Sequence, residues 1–236
     1  MAGVIDVLLD ETKDVEAETQ GVWVGLHWTA VQTKHVGMSH TYKSGKKTQI
    51  EKAGRLLELT PRQLAEMARS EDTLTASVGI ASINSLIEPI GESGSINPHI
   101  KKVARDKEIT IIGRFPFNDE MRRVTRKTNI LEFQPTEGEL PASMCDEVIP
   151  RSDVNIITAT TLINHTLDHL LELGGGGYNI LLGPSTPMSP ILFEHGIDVL
   201  ASVRVLDVKN LSSSITQGVK KFGLIGGVEP ICLYKQ

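Results

Sequence analysis

The stretch Tyr178-Asn179-Ile180-Leu181-Leu182-Gly183-Pro184-Ser185-Thr186-Pro187-Met188-Ser189-Pro190 decides how this chain is read. Residues 180–182 form a short apolar run, the pattern of a buried strand. Gly183-Pro184 ends it, because proline lacks the N–H that a strand or helix would need there. Ser185 and Thr186 then offer hydroxyls and backbone N–H groups. Ser189-Pro190 has the signature of a helix start, with serine as N-cap and proline in the first turn. A strand that ends in a polar, glycine-containing loop and feeds a helix N-terminus can hold an anion. In open α/β sheets, ligands bind beyond the carboxyl ends of the strands. Gly183, Ser185 and Thr186 are therefore expected to form one wall of a site.

Similar apolar runs recur at 109–112, 130–133, 154–157 and 199–203. Helical patterns separate them at 119–127, 142–148, 162–173, 190–195 and 211–222. Strands alternating with helices predict a parallel sheet covered on both faces. Five such units make an α/β fold with a doubly wound, Rossmann-like sheet. Strands 109–112 and 180–182 are expected to be neighbours at its switch point. The four glycines 174–177 follow a helix and precede a strand, which is the wrong end for phosphate binding. They read as a helix C-cap and flexible turn.

The first part of the chain has a different period. Val4, Ile5, Leu8 and Leu9 suit an amphipathic helix. Val22, Val24, Leu26, Trp28 and Ala30 alternate with less apolar residues and predict one strand. A second strand is expected over 36–42, a turn at 32–35, and an edge strand over 15–19. Thr60-Pro61 marks one helix start, and 73–86 reads as another helix. Gly79, inside it, costs about 1 kcal/mol relative to alanine and so implies a packing reason. Strands followed by helices make an α+β unit. Residues 88–98 hold two Pro, two Gly and two Ser, the strongest boundary signal in the chain. They separate 1–87 from 99–236.

A net charge of −5 with no basic stripe argues against a nucleic-acid partner. The basic spot Lys43-Ser44-Gly45-Lys46-Lys47 reads as a solvated loop. It fails the P-loop spacing, because His40 stands where the first glycine is needed. No apolar run approaches a membrane span, and the acidic N-terminus is not a signal peptide. Cys145 and Cys232 fit no metal or redox spacing. Two isolated thiols predict a cytoplasmic protein.

Several segments together resemble the heavy-metal chelation family. They are 157–164 with Thr166-Leu167, then Leu182 to Pro187, then Gly196 to Leu200 with Val203 and Arg204. Upstream, Gly113 with Phe115-Pro116 matches, as does Glu132 followed by Pro135, Gly138, Leu140 and Pro141. In the first part, Gly79-Ile80-Ala81 and Asn84 match. The resemblance spans nearly the whole chain and is most specific over 109–204. It implies an enolase-N-terminal-like α+β domain over 1–87, a linker over 88–98, and a Rossmann-like domain over 99–236, with a cleft between them. His165 departs from the pattern, which has a small residue, often glycine, after Asn164.

In such a sheet, the strand ends present Arg114, Glu132, Thr158, Thr160, Gly183, Ser185 and Arg204 along one edge. Glu132 follows Gly113 by 19 residues, where nucleotide-binding Rossmann folds hold ribose hydroxyls. Gly113-Arg114-Phe115-Pro116 is not a G-x-G-x-x-G turn, which argues against a dinucleotide but leaves S-adenosylmethionine open. His165 and His169 are four apart on the predicted helix, a spacing that can serve one metal. They lie opposite its apolar stripe and read as a solvated face. No metal ligand is therefore assigned, and changing both to Ala is expected to leave any bound metal untouched. His195 is accounted for by a helix C-terminus. Asn164 and Asn84 read either as helix-end residues or as ligand contacts.

The resemblance favours an enzyme-like cleft acting on a small anionic, metal-chelating or pterin-like molecule. Asn84, Thr158, Thr160, Asn164, Gly183, Ser185 and Thr186 are expected to orient it. Arg114 and Arg204 are expected to hold its anionic groups. Glu132 is the general-base candidate. The alternatives are a non-catalytic protein that binds a metal chelate, and a methyltransferase-like protein that binds S-adenosylmethionine. No cofactor is identified; a metal ion or metal chelate is left open. The expected partner is a small molecule, with no membrane or nucleic acid, and a homodimer is left open.

Overall fold

The computed structural model describes residues 2–43 and 49–236. Of the basic spot, everything after Lys43 lies outside the described residues. The first helix, α1 (Val4–Glu11), buries Val4, Leu8 and Leu9 as its periodicity predicts. Its first backbone N–H donates to Asp168 Oδ1 at 2.9 Å, so a carboxylate from the far half of the chain caps it.

Strands β1 (Gly21–Val24), β2 (Trp28–Gln32) and β3 (Val36–His40) form an antiparallel sheet in that order. The alternating run 22–30 is thus two strands rather than one. Gly25 N–H donates to Trp28 carbonyl at 2.9 Å and closes a tight turn. A Cβ on Gly25 would stand 2.3 Å from the Ile215 carbonyl oxygen, so only glycine lets this turn meet its neighbour. Residues 15–20 form no strand, and β3 ends at His40, short of the predicted 42. The turn at 33–35 is present.

Helix α2 (Pro61–Glu66) carries a capping box between Thr60 and Gln63. Helix α3 (Thr73–Leu86) is capped by Asp72, whose carboxylate accepts from Thr75 N at 3.1 Å. Thirteen of its fourteen residues are buried, which explains its small side chains. A Cβ on Gly79 would stand 1.9 Å from the backbone nitrogen of Ala68. On the other side, a Cβ on Gly37 of β3 would stand 2.2 Å from the Ala81 carbonyl oxygen. Backbone therefore packs on backbone on both sides of α3.

The rest of the chain builds an eight-stranded sheet. In chain order the elements are β4 (Glu92–Ser93), α4 (Asn97–Ala104), β5 (Glu108–Ile112), α5 (Asn118–Val124), β6 (Lys127–Glu132), β7 (Leu140–Pro141) and α6 (Cys145–Val148). They continue with β8 (Val154–Thr158), α7 (Thr160–Ile163), α8 (Leu167–Leu173), β9 (Tyr178–Leu182), β10 (Val199–Val205), α9 (Val208–Thr216) and β11 (Val228–Tyr234). The strand order is β4-β11-β10-β9-β8-β5-β6-β7. The strands from β10 to β7 are parallel, and β11 and β4 add antiparallel pairings at one edge. The predicted α/β class and its five parallel strands are present. The boundary stretch 88–98 supplies β4 to this sheet and opens α4.

Four expectations need correction. Strands β5 and β9 are not neighbours, because β8 lies between them. The chain leaves β5 outward to β6 and returns on the other side to β8, so the order reverses between β5 and β8. The switch point lies there. Helix 119–127 ends at Val124, because Lys127 already pairs in β6. Helix 162–173 breaks at 164–166, where His165 has φ +59°. Helix 211–222 ends at Thr216 and starts earlier, at Val208, capped by Asp207.

Helices α4 and α5 cover one sheet face, over Ile109, Ile111, Ile156 and Ile180. The other face carries Ile157, Leu181 and Leu200, in one continuous core with α1, α3, α7 and α8. The smaller sheet meets the end of β9, where His40 N–H donates to the Ser185 hydroxyl at 2.9 Å. No helix among the described residues is long and apolar enough to cross a membrane.

Candidate functional site

A cavity of about 1340 Å³ lies over the carboxyl ends of β5, β6, β8 and β9. Its floor includes Gly113, Glu132, Thr158, Thr160 and Gly183. Trp28 and His40 of the smaller sheet, with Tyr42 just beyond it, face the opposite side, with Lys220, Lys221 and Phe222 beside them. Cys145 and His169 belong to another stretch of its wall.

At the switch point the chain is tight. Gly113 has φ +107°, and a Cβ there would stand 3.1 Å from Cβ and Cγ2 of Thr158. Both the conformation and the space call for glycine. The Thr158 and Thr160 hydroxyls are 3.1 Å apart and accessible to the cavity. Asn164 accepts at Oδ1 from the Thr166 hydroxyl at 2.7 Å and from Thr166 N at 3.3 Å. It is a turn-maker ahead of α8 as well as a cavity residue. His165, in the left-handed region that glycine adopts freely, places Nε2 2.9 Å from the Ser70 carbonyl oxygen. That bond holds the strained turn without the glycine of the family pattern.

Glu132 ends β6. Burial pushes its carboxyl up from the ordinary range, Arg114 opposes this, and Glu139 adds to it. Arg114 lines the cavity but is already engaged. It forms a two-pronged pair with Glu139 at 2.8 and 2.6 Å and donates to the Gln134 carbonyl at 2.6 Å. Those bonds, with N–H donation from Thr136, hold the Glu139 carboxyl at about 2. A depressed carboxyl contributes stability that is complete above its unfolded value of about 4.5 and is lost as pH falls through about 2. The pair is exposed on the arginine side, so the contribution is below about 1 kcal/mol. Urea midpoints for Glu139→Gln should fall less steeply than wild type over that acid window. Parallel curves would show that the pair contributes nothing.

Seven of the ten residues predicted for the site line this cavity: Arg114, Glu132, Thr158, Thr160, Asn164, Gly183 and Ser185. Ser185 Oγ accepts from His40 N at 2.9 Å and so ties the loop after β9 to β3. Gly183, with φ +128°, has no atom within 4 Å of an added Cβ. Asn84 and Thr186 line a separate void of about 20 Å³ on β3, a volume that admits one water and no ligand. Asn84 donates to the Met38 carbonyl at 2.9 Å. Arg204 is not at the cavity. It donates to the carbonyls of Pro89 and Gly91 at 3.0 and 3.2 Å and pairs with Glu229 at 3.0 Å. It fixes the 88–91 segment to β10.

Sequence reasoning missed Trp28 and His40. They face each other across β2 and β3, with ring centroids 5.4 Å apart and edge-on. Trp28 Nε1 and His40 Nδ1 are buried without a hydrogen-bond partner among the described residues. Burial pushes the His40 imidazole down, with His27 adding to the effect, so it is neutral near pH 7. The available signal was two polar-tipped aromatics on the apolar side of an alternating strand pair. Orphaned buried polar groups are rare in native proteins, and a bound water or ligand would satisfy them.

Fold and cavity define an α/β protein with a small-molecule-sized site at the carboxyl edge of its parallel strands. Residues 98–228 match the model of a family described as "Putative heavy-metal chelation", and residues 5–87 match a second model of the same description. The chain belongs to this family. An uncharacterized protein of Methanocaldococcus jannaschii is 28% identical over 157 residues. That match spans 62% of this chain and 61% of the relative, less than two thirds of its length. A protein of unknown function from Desulfitobacterium hafniense DCB-2 has a similar structure, with TM-score 0.87 and 23% identity, over 98% of this chain and 97% of that one. One from Pyrococcus horikoshii has TM-score 0.80 and 16% identity, over 98% and 99%. At these identities the likeness shows the fold.

Proposed function

We propose that the cavity binds a small, planar, anionic molecule of the metal-chelating or pterin-like class. In this reading the chain is two domains, 1–87 and 99–236, joined through 88–98, and the ligand lies between them. The observation that carries it is a ligand-sized cavity over the strand ends whose wall includes Trp28, a residue whose buried indole N–H has no partner among the described residues and would gain one by a small turn of the ring towards a bound molecule. An indole nitrogen only donates, so its partner must be an acceptor such as a carboxylate or ring carbonyl. Lys220 and Lys221 supply positive charge on the same side. They take the anion-holding role predicted for Arg114 and Arg204, whose guanidinium groups are spent within the protein. Thr158 and Thr160 orient the ligand's other edge, helped by Asn164 and Ser185. Glu132, with its carboxyl raised by burial, is the group able to take or give a proton.

The test is calorimetric titration with a pterin carboxylate, followed also by tryptophan fluorescence. Trp28→Phe keeps the ring and removes the donor. A charge-assisted hydrogen bond contributes about 1.5–3 kcal/mol, so affinity should fall roughly ten- to hundred-fold. Unchanged affinity in Trp28→Phe would sink the reading. Turnover of the bound compound, lost in Glu132→Gln, would make the protein an enzyme rather than a binding protein.

A second reading rests on the position of Glu132. It ends the strand beside β5 on the outer side of the switch point, where Rossmann folds hold ribose hydroxyls. S-adenosylmethionine would then bind, and Glu132→Ala would abolish that binding. Saturable S-adenosylmethionine binding with no pterin binding would put this methyltransferase-like reading first.

A further inference from the structure

Cys145 and Asp146 open α6, and His169 lies on α8. Asp146 Oδ1 and His169 Nε2 are 2.9 Å apart. One donor atom from each of the three residues, including the Cys145 sulfur, lies within 4.8 Å of the other two. Cys145 and His169 both line the cavity. We propose that Cys145, Asp146 and His169 form a binding site for a soft divalent cation of the zinc and cadmium class, set in the cavity wall.

The donor set carries the choice of ion. Hard cations such as calcium and magnesium take oxygen ligands throughout, whereas sulfur with imidazole selects zinc-like and softer ions. Zinc binds nitrogen, oxygen and sulfur at about 2.0–2.3 Å, which sets neighbouring donors about 3–4 Å apart. Small side-chain rotations bring these three into that range. The backbone beneath them is anchored, because Val148 of α6 and Leu167 and Leu170 of α8 are buried in the main core. Three protein ligands leave a further position on the ion, which water or a donor atom from a molecule in the cavity can fill.

This revises the expectation that His169 belongs to a merely solvated face. That expectation assumed one helix carrying His165 and His169 together. The helix breaks between them, and His165 turns to the Ser70 carbonyl. His169 finds its partners on α6 instead, 23 and 24 residues back in the chain. No sequence spacing announces such a set. The site does not depend on the cavity ligand proposed above, so each can fail without the other.

The experiment is titration of the 236-residue protein with cadmium chloride alone, followed by thiolate-to-cadmium charge-transfer absorption in the ultraviolet. We expect saturation near one equivalent. Cys145→Ser should abolish the band. Changing groups that only support metal ligands already weakens binding about 10- to 100-fold, so His169→Ala and Asp146→Asn should each weaken it by at least about tenfold. His165→Ala should leave binding unchanged. Cys232→Ser should also leave the band intact, because that sulfur is buried on β11, directed to the Gly94 carbonyl, and is not part of the three-residue group. The three ligand variants should keep the wild-type circular dichroism and thermal midpoint, because Cys145 is half-buried and the two other ligands are exposed. No band, a band that survives Cys145→Ser, or unchanged affinity in both His169→Ala and Asp146→Asn would overturn the site.

Discussion

Gly79→Val is expected to destabilise the protein by about 3 kcal/mol or more. Helix α3 is buried almost all round, and at Gly79 it runs against the backbone of Met67 and Ala68. The first side-chain carbon of any other residue would stand 1.9 Å from the Ala68 nitrogen and 2.5 Å from its Cα. Backbone cannot rotate away as a side chain can, so the helix or the 67–69 turn must move. The intrinsic helix preference for valine over glycine, a few tenths of a kcal/mol, cannot offset that. For a chain of this size the thermal midpoint should drop by about 6–12 °C. Even Gly79→Ala should lower it. A Gly79→Ala protein as stable as wild type would mean that this packing is wrong.

Asn179→Leu should cost about 1–3 kcal/mol, by a different route. The Asn179 side chain accepts from Asn155 Nδ2 at 2.9 Å and donates to the carbonyls of Gly174 and Gly196 at 3.1 and 2.8 Å. Both asparagines are buried in adjacent parallel strands. Leucine would leave the buried Asn155 amide without this partner, at a cost of about 1–3 kcal/mol, whereas the Gly174 carbonyl keeps the Gly177 N–H at 2.9 Å and Gly196 is exposed. The double change Asn155→Leu with Asn179→Leu should cost less than the sum of the two, because neither then strands the other. Denaturant unfolding of the two single variants and the double variant measures this coupling. Strict additivity would show that the amide pair does not act as a unit.

The same pair explains the glycine run at 174–177. A Cβ on Gly174 would stand 2.7 Å from Asn179 Oδ1, and one on Gly177 would stand 2.7 Å from the Ser152 carbonyl oxygen. Gly176 has nothing within 4 Å of an added Cβ. The run is a turn after α8, as its place between helix and strand implied, but its ends are held by packing where flexibility was expected.

The five parallel strands were legible because each is a short apolar run closed by glycine, proline or a polar loop, and burial on both faces leaves no other composition open to them. The order of those strands was not legible. Whether the chain turns left or right after β6 depends on which helix faces match which sheet face, a property of pairs of distant segments. Strand β11 was missed for a related reason: at the sheet edge its burial is partial, so its apolar pattern is interrupted by Glu229 and Pro230. The 22–30 run shows the converse. Its alternation is real, but one hydrogen bond from Gly25 to Trp28 folds it into two strands without disturbing the period.

The placement of residues carried by strand ends follows from the chain alone, because the carboxyl end of every parallel strand meets the same edge. Glu132, Thr158, Thr160 and Gly183 reach the cavity for that reason. What a side chain does once there depends on neighbours far away in sequence. Arg114 is spent on Glu139, Arg204 on Pro89 and Glu229, and Asn84 on the far side of β3, so none of the three is left as predicted to hold a ligand. Trp28, His40 and the grouping of Cys145 with His169 arise only when the smaller sheet and α6 are laid over the strand ends. Local residue patterns specify elements and their ends; long-range packing decides which polar groups are satisfied, and therefore which remain available for a ligand.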